Sequence, residues 1–401
     1  MPHLEKTQIA ILGAGPIGLE AALYASLNGW DVDVYERDRP GAHLRHWGHV
    51  AFFSPWQLNR SSWGAQYLNE QGHRISEVEA FPTGREYVER YLEPMVASDA
   101  LADRVHTGHE VLGVARSRSL KGERVGDEAR ADHPLLVHVR SEAGERYIAA
   151  DVVLDTTGVY RTPNGLGPGG LRALGEQEHA GRIDYYIPDL QGPDRPTYAG
   201  AETLVVGAGY SAVTSLSGLH ELSQSAPGTR VYWLLRDTDA PYPVIEDDPL
   251  PRRRELSLFG NRAAAGEVDG IVPLSGTVEY IESRAADRMR VTLTGDATAS
   301  AVAVDRIVAN VGYRPDVDLF RELQVHQCYA TEGPIELAAS LMSADTGADC
   351  LDQSAGGASL LETPEPNFFL LGSKSYGRNS NFLLKVGYQQ IEQVFDLLPH
   401  S

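Results

Sequence analysis

Hydrophobic and polar positions alternate along the chain in a way that predicts two β-α-β units. Each unit begins with an apolar strand, residues 9–12 and 204–206, that runs into a glycine-rich turn. A stretch with helical spacing follows each turn, and a second apolar strand follows each helix, at 31–35 and 231–235. In the second helix the apolar positions are Val213, Leu216, Leu219 and Leu222. Because this order is typical of parallel sheets flanked by helices, the pattern predicts an α/β fold.

The first glycine-rich turn has the complete spacing of a dinucleotide-binding fingerprint. Glycines at the three required places allow a tight turn, close approach of a pyrophosphate and close packing of helix on strand. An acidic residue at the end of the second strand accepts hydrogen bonds from an adenosine ribose. The predicted cofactor contacts in this unit are Gly13, Gly15, Pro16, Gly18 and Glu36.

The second turn repeats the motif with two changes. Ala212 replaces the third glycine and is still small enough for helix and strand to pack closely. Arg236 ends the second strand, where the first unit has Glu36, and a cation there suits a ribose 2′-phosphate. The second unit therefore indicates NADPH, with Gly207, Gly209, Ser211, Ala212 and Arg236 as predicted contacts. The alternative interpretation is that Arg236 only begins the next loop.

Length and charge narrow the classes of partner. The chain has 401 residues, enough for two or three domains, and a formal net charge of −20. This acidity argues against nucleic acid and anionic membranes as partners, and no apolar run is long enough to span a bilayer. The N-terminus lacks the layout of a signal peptide, so we expect a cytoplasmic enzyme with a small-molecule substrate. A homodimer is an assembly compatible with the sequence.

Cysteine usage argues against a local redox-active pair. The two cysteines are Cys328 and Cys350, and no C-x-x-C occurs. A redox dithiol requires two thiols close together in a reactive environment. Buried bystander thiols are the favoured interpretation, and a long-range couple between the two stays open. No zinc-type spacing of Cys and His is present, so we expect no metal.

Two further segments resemble each other and, by their positions, resemble known crossover segments. Residues 151–158 and 305–315 each form an apolar strand that ends at a turn, at Gly158 and Gly312. They resemble the segments at which flavoproteins with two dinucleotide-binding domains pass from one domain to the other. The resemblance implies two Rossmann-like domains: an FAD domain made of residues 1–165 and 305–401, and an NADPH domain, 166–304, inserted into it.

Within that group, the chain resembles the flavin-containing, class B monooxygenases and related pyridine-nucleotide oxidoreductases. The segments that carry the likeness are Phe81–Tyr87, Val311–Pro315 and Phe368–Gly372, the last followed by a helix predicted from 381 to 398. The likeness implies FAD contacts at Gly158, Gly312, Gly372 and Ser373, and, from the looser match at 41–47, at Arg45 and Trp47. The family's F-x-G-x-x-x-H signature is not matched at 179–185, which leaves the oxygenase assignment open.

The resemblance implies hydride transfer from NADPH to FAD, followed by one of two fates for the electrons. A monooxygenase would form a peroxyflavin that hydroxylates a nitrogen or sulfur atom, and Asn59 would be its catalytic residue. The alternative is a dithiol-free reductase that passes electrons to an organic acceptor such as a quinone. A flavoprotein kept only for binding or sensing is disfavoured by the intact glycines.

Two segments are candidate linings of the flavin site, each with a structural alternative. The aromatic segment 47–60 could shield the site or simply form core, and Asn59 could be a turn residue. The segment 372–382 could present Lys374 and Arg378 to the flavin or an anion, or it could be a helix cap with both cations solvated. The polar stretch 116–134 is expected to be a surface hairpin tip or a mobile loop.

Overall fold

The computed structural model describes residues 7–236, 239, 241–284, 288–295, 297–343 and 356–398. The chain divides into two compact units. The first contains the chain up to Gly48, then Ser54–Thr162, and the chain from Arg314 onward; the second contains His49–Phe53 and Pro163–Tyr313. In the part of the chain that is described, no helix is both long and apolar enough to cross a membrane.

The elements follow one another in three stretches. Up to residue 162 they are β1 (Gln8–Leu12), α1 (Pro16–Leu27), β2 (Asp31–Tyr35), α2 (Ala42–His46), α3 (Ser62–Glu70), α4 (Gly84–Tyr87), α5 (Glu93–Val96), β3 (Val105–His106), β4 (Glu110–Arg116), β5 (Leu135–Ser141), β6 (Gly144–Ala150) and β7 (Val152–Asp155). Between 163 and 313 they are β8 (Ile183–Asp184), α6 (Arg195–Tyr198), β9 (Glu202–Val206), α7 (Tyr210–Ser225), β10 (Arg230–Leu235), α8 (Pro251–Ala264), β11 (Ile271–Ser275), β12 (Thr277–Arg284), β13 (Arg288–Thr294), β14 (Ala301–Val304) and β15 (Arg306–Ala309). The last stretch contains α9 (Ile335–Ser343), β16 (Phe368–Leu370) and α10 (Leu384–Leu397).

The first unit is built on a parallel sheet in the order β16-β7-β1-β2-β3. Its central strands are apolar and buried on both faces, as parallel strands covered on both sides must be. A smaller antiparallel sheet, β4-β5-β6, shares a hydrophobic core with β1 and β7 through residues such as Leu12, Val137 and Val153. Helices α1 and α10 pack together.

The second unit repeats this plan. Its parallel sheet has the order β11-β10-β9-β15-β8, and its antiparallel sheet has the order β12-β13-β14. Helices α7 and α8 share a core with β9 and β10 that includes Leu216 and Trp233. The predicted α/β class, with two Rossmann-type sheets, is confirmed.

The predicted boundary at which the chain returns from the second domain to the first differs from the boundary between the two units of the structure. The sequence places residues from 305 onward in the FAD domain, whereas the structure keeps the chain in the second unit through Tyr313. The reason is that β15 hydrogen-bonds to β9 and β8, so this crossover strand belongs to the second sheet. Residues 49–53 also group with the second unit.

The polar stretch 116–134 connects β4 to β5, as expected for a hairpin connection, but its base is buried. Arg116 and Arg130 both donate hydrogen bonds to Glu365, at 2.8 Å and 2.7 Å. All three side chains are essentially inaccessible to solvent. Since two cations share one carboxylate, backbone carbonyls of the same stretch and of Pro366 accept other guanidinium hydrogens.

Candidate functional site

The three fingerprint glycines of the first unit have three different surroundings. Gly13 has φ = 93°, a left-handed conformation that favours glycine, and its amide donates to Tyr35 O at 2.9 Å. A Cβ on Gly18 would overlap the Gly13 carbonyl oxygen. A Cβ on Gly15 would meet no atom within 4 Å. Gly15 is therefore the position that faces open space at the N-terminus of α1, where a pyrophosphate is expected.

Glu36 is held beside this loop by two backbone amides. One carboxylate oxygen accepts from the Ala14 N–H at 2.7 Å, and the other accepts from the Asp38 N–H at 2.9 Å. The side chain is partly exposed, and a carboxylate has further lone pairs for ribose hydroxyls. This geometry fits the predicted ribose contact.

The crossover segment after β7 is tied directly to the fingerprint. Thr156 Oγ1 donates to Leu12 O at 2.7 Å and to Gly13 O at 3.1 Å. Gly158 follows two residues later, and a Cβ on it would lie 3.6 Å from Ser373 Oγ. The predicted contacts Gly158 and Ser373 thus lie close together at the carboxyl end of the sheet.

The loop after β16 is fixed from two sides. On one side, Gln390 of α10 accepts from the Gly372 N–H and donates to Ser375 Oγ, both at 2.9 Å. On the other, Lys374 Nζ donates to Asp155 Oδ2 at 2.6 Å and to Thr157 Oγ1 at 2.9 Å. Between residues 372 and 377 only the side chain of Ser373 is partly exposed. This arrangement presents Gly372 and Ser373 at the edge of the sheet.

The environment of Lys374 contradicts both interpretations that the sequence analysis offered for this loop. It is neither solvated nor directed to a ligand, because its side chain and that of Asp155 are completely buried as an ion pair. Arg378 is exposed and pairs with Glu332 at 2.9 Å. Gln390 was missed, since a glutamine within an amphipathic helix carries no local signal of its contacts.

The glycine loop of the second unit has the same division of roles. Gly207 has φ = 127°, and a Cβ there would overlap the Asn310 carbonyl oxygen. A Cβ on Gly209 would meet no atom within 4 Å, whereas Ala212, in the first turn of α7, is completely buried. Asn310 also accepts from Ser215 Oγ at 2.8 Å, and Gly312 follows it. The open position is again the second glycine.

Arg236 lies one residue beyond the structural equivalent of Glu36, the position that the sequence analysis assigned to it. In the first unit the Gly13 N–H donates to Tyr35 O, the residue before Glu36; in the second, the Gly207 N–H donates to Leu234 O. The structural counterpart of Glu36 is therefore Leu235, which is buried, and Arg236 corresponds to Arg37. The change removes an acid from the ribose position and keeps an exposed cation next to it.

Asn59 is buried and its side chain is engaged within its own loop. The amide Nδ2 donates to Ser54 O at 2.9 Å and to Pro55 O at 3.1 Å, and Oδ1 accepts from Ser54 Oγ at 2.7 Å. Both amide hydrogens therefore bond to the backbone of the loop that carries Trp56. Trp56 is itself buried, and its ring stacks on that of Tyr87 with the centroids 5.7 Å apart. This aromatic side chain therefore forms part of the core, as the structural alternative proposed.

A buried acid that the sequence analysis missed supports this loop. Glu20 of α1 accepts from Ser61 Oγ and Tyr91 OH, both at 2.6 Å, and from the Ser61 N–H at 3.2 Å. Burial raises the pKa of the Glu20 carboxyl, although these hydrogen bonds act in the opposite direction. Tyr388 of α10 donates to Asn59 O at 2.6 Å. Polar contacts from α1 and α10 thus fix the segment 54–61.

The two remaining predicted contacts lie in the turn around α2. Arg45 pairs with Glu93 at 2.7 Å, and its Nε donates to Pro40 O at 3.3 Å. Trp47 is partly buried, with its ring so near Gly84 that a Cβ there would lie 3.0 Å from it. The Gly41 N–H donates to Ala14 O at 2.9 Å, which places this turn beside the fingerprint.

The thiol of Cys328 is buried. Hydrogen bonding to Thr331 lowers the pKa of this thiol. Cys350 lies outside the described residues. Among the described side chains, no group of three or more His, Cys, Asp or Glu is placed to hold a metal ion.

Comparison with known proteins identifies the family. The sequence profile of the pyridine nucleotide-disulphide oxidoreductase family matches residues 10–344, most of the chain, and the protein belongs to this family. A curated, uncharacterized protein of Methanocaldococcus jannaschii is 44% identical over 41 residues, a match that spans 10% of either chain.

Solved structures share the fold along nearly the whole chain. The bacillithiol disulfide reductase of Bacillus cereus is 21% identical, with 98% of each chain covered and a TM-score of 0.67. The ornithine N-hydroxylase of Kutzneria sp. 744 is 17% identical, with 98% of each chain covered and a TM-score of 0.64. The cadaverine monooxygenase of Erwinia amylovora is 12% identical, with 98% of this chain and 96% of that chain covered and a TM-score of 0.63.

These findings identify the protein as a pyridine nucleotide oxidoreductase, and they support the predicted cofactors FAD and NADPH. The residues present fit two dinucleotides, because each glycine loop has one glycine that faces open space at a helix N-terminus. The similar structures include both monooxygenases and disulfide reductases, and the family match identifies the activity only at the level of oxidoreductase.

Proposed function

We propose that the protein is an NADPH-dependent, FAD-containing monooxygenase that hydroxylates a nitrogen or sulfur atom of a small nucleophilic substrate. One atom of dioxygen enters the substrate and the other leaves as water, with two electrons supplied by NADPH. The flavin, when bound, supplies the redox chemistry. Gly15 and Gly209, which face open space at helix N-termini, are the positions at which this chain would hold the two cofactors.

The observation that carries the proposal is the cysteine content. An enzyme that reduces disulfides through its own thiols needs a reactive, accessible cysteine, usually with a second one nearby. The chain has two cysteines, neither of them in the fingerprint, and Cys328 is buried. This supports electron transfer to a diffusible acceptor, and dioxygen is the acceptor that the resemblance to monooxygenases favours.

Asn59 supplies the observation that favours the second candidate, a reductase of an organic acceptor such as a quinone. The proposed catalytic role needs an amide hydrogen directed toward oxygen, but both hydrogens of Nδ2 bond to Ser54 O and Pro55 O. A reductase needs no such donor. The role of Asn59 in oxygen chemistry therefore remains a proposal that requires this loop to rearrange.

NADPH rather than NADH is the proposed electron donor. Arg236 is exposed immediately after β10, and buried Leu235 replaces the acid that would accept hydrogen bonds from a free 2′-hydroxyl. A guanidinium forms strong, bidentate hydrogen bonds to phosphate. We therefore expect Arg236 to contact the 2′-phosphate.

Rapid mixing of the NADPH-reduced holoenzyme with oxygenated buffer tests the proposal. A monooxygenase should show a transient absorbance between the reduced and oxidised spectra, and small amine or thioether substrates should yield hydroxylated product in place of hydrogen peroxide. A reductase should reoxidise in one phase to hydrogen peroxide and should reduce a quinone quickly. The second outcome, with no product from either substrate class, would overturn the monooxygenase assignment.

A further inference from the structure

A completely buried ion pair joins the two loops that carry predicted FAD contacts in the first unit. Lys374 Nζ donates to Asp155 Oδ2 at 2.6 Å, and both side chains are inaccessible to solvent. Asp155 ends β7, and Lys374 follows Ser373 in the loop after β16, the strand that pairs with β7. A Cβ on Gly158 would lie 3.6 Å from Ser373 Oγ, so the predicted contacts of the two loops are neighbours.

Thr157 connects this ion pair to the crossover segment. Its Oγ1 donates to Asp155 Oδ1 at 2.7 Å and accepts from Lys374 Nζ at 2.9 Å. Its backbone N–H donates to the same Asp155 oxygen at 3.1 Å. Gly158 is the next residue, and Lys374 directly follows Ser373. Both charges therefore lie within a few residues of a predicted FAD contact.

Stability alone does not account for a buried ion pair of this kind. Taking two charges out of water costs free energy that their mutual attraction only partly offsets, and apolar residues of similar volume often stabilise a core as well or better. Charges inside a protein are, however, screened far less than charges at its surface. A buried charge beside a cofactor site therefore acts on the cofactor more strongly than a surface charge does.

We propose that Lys374 and Asp155 set the reduction potential of the bound FAD, as positioning residues whose opposite charges balance each other beside the flavin-binding loops. Reduction adds negative charge to a flavin, so a nearby cation stabilises its reduced form and a nearby anion stabilises its oxidised form. Neither side chain is exposed, so both act through their field and through the loops that they hold. The inference requires FAD at Gly158 and Ser373, and it applies to a monooxygenase and to a reductase alike.

Each charge keeps other partners when its counter-ion is removed. In Lys374→Met, the Asp155 carboxylate still accepts from the hydroxyl and the N–H of Thr157, which favour its ionised form. In Asp155→Asn, the Lys374 ammonium keeps Thr157 Oγ1 as an acceptor. It also lies 5.3 Å from the centroid of the Phe320 ring, a cation–π contact. The two variants therefore leave opposite net charges in the same place.

The test is the midpoint potential of the flavin in the purified holoenzyme, measured by dye-coupled reduction with no acceptor substrate present. Lys374→Met should bind reduced FAD about tenfold more weakly relative to oxidised FAD, which lowers the two-electron potential by about 30 mV. Asp155→Asn should raise the potential by a similar amount. The double variant Lys374→Met, Asp155→Asn should return close to the parent potential, because it leaves no charge behind.

Glu365→Gln is the matched control. The Glu365 carboxylate is also completely buried and paired with arginines, but it precedes β16, whereas Lys374 follows that strand. Its replacement should leave the potential unchanged. Should Lys374→Met lose its fold, Thr157→Val takes its place, because it removes hydrogen bonds of the pair and keeps both charges. Its potential should equal that of the parent, in contrast to Asp155→Asn.

The sign of the shift separates the effect of charge from a disturbance of the loops. A structural disturbance does not depend on which charge is removed, so shifts of the same sign in Lys374→Met and Asp155→Asn would overturn the inference. Unchanged potentials in both variants, or an equally large shift in Glu365→Gln, would overturn it as well. None of these results bears on the proposed function, because no acceptor takes part in the measurement.

Discussion

Replacement of Gly15 by valine should separate cofactor binding from folding. Gly15 has φ = −80° and ψ = −176°, which any residue can adopt, and its Cβ would point into open space. We therefore expect Gly15→Val to fold normally. A Cβ on Gly18 would instead overlap the Gly13 carbonyl oxygen, so Gly18→Ala should lower the melting temperature.

The expected loss of FAD affinity in Gly15→Val follows from the hydrogen bonds to FAD that the valine side chain would displace. The first N–H groups of α1 have no acceptor within the helix and are available to a pyrophosphate. Each hydrogen bond to a charged acceptor contributes about 1.5–3 kcal/mol. Loss of two such bonds costs about 3–6 kcal/mol, which corresponds to an increase of roughly 10²- to 10⁴-fold in the Kd for FAD.

The assay is the ratio of flavin to protein absorbance in the purified variant, with fluorescence titration of FAD into the flavin-free protein. Gly209→Val is the matched control, because its Cβ also faces open space but in the second unit. It should keep FAD and lose flavin reduction by NADPH. Recovery of Gly15→Val with a full complement of FAD would refute the assignment of the first unit.

Three further predictions concern buried polar groups. Lys374→Met leaves Asp155 buried and unpaired, so the free energy of unfolding in urea should fall by about 3–5 kcal/mol. The double variant Lys374→Met, Asp155→Asn should recover part of the lost free energy of unfolding. If it recovers none, the ion-pair argument is contradicted. Asn59→Ala should lower stability by about 1–3 kcal/mol through loss of its loop hydrogen bonds. Unchanged melting with a collapse of product coupling would instead support the catalytic role. Because burial raises the pKa of Glu20, the stability of the parent protein relative to Glu20→Gln should decrease as the pH rises above about 4.3. A difference in stability that does not vary with pH would contradict this.

Local sequence was sufficient for the β-α-β units and for the glycine-rich turns that join strand to helix in each of them. The predicted second strand of the first unit, 31–35, matches β2 as found, because alternation and burial act within a few residues. The requirement for glycine at position 13 is equally local, since its positive φ is a property of its own backbone. The last helix was predicted from 381, yet α10 begins at Leu384, because residues before it remain in the loop.

Tertiary structure decided which polar groups meet. Lys374 and Asp155 are far apart in sequence and become partners because β16 and β7 are neighbours in the sheet. Arg236 shifts by one position because the hydrogen-bond register, and not the visible end of the strand, defines equivalence between units.

The sequence by itself therefore determined the fold class, the two glycine loops and the pair of cofactors. The partners of Asn59 and Glu20 depend on how helices and loops pack together. The physical reason is that periodicity and backbone conformation act over one or two turns of chain. Charge burial and hydrogen-bond partnership depend instead on segments that only the folded chain brings together.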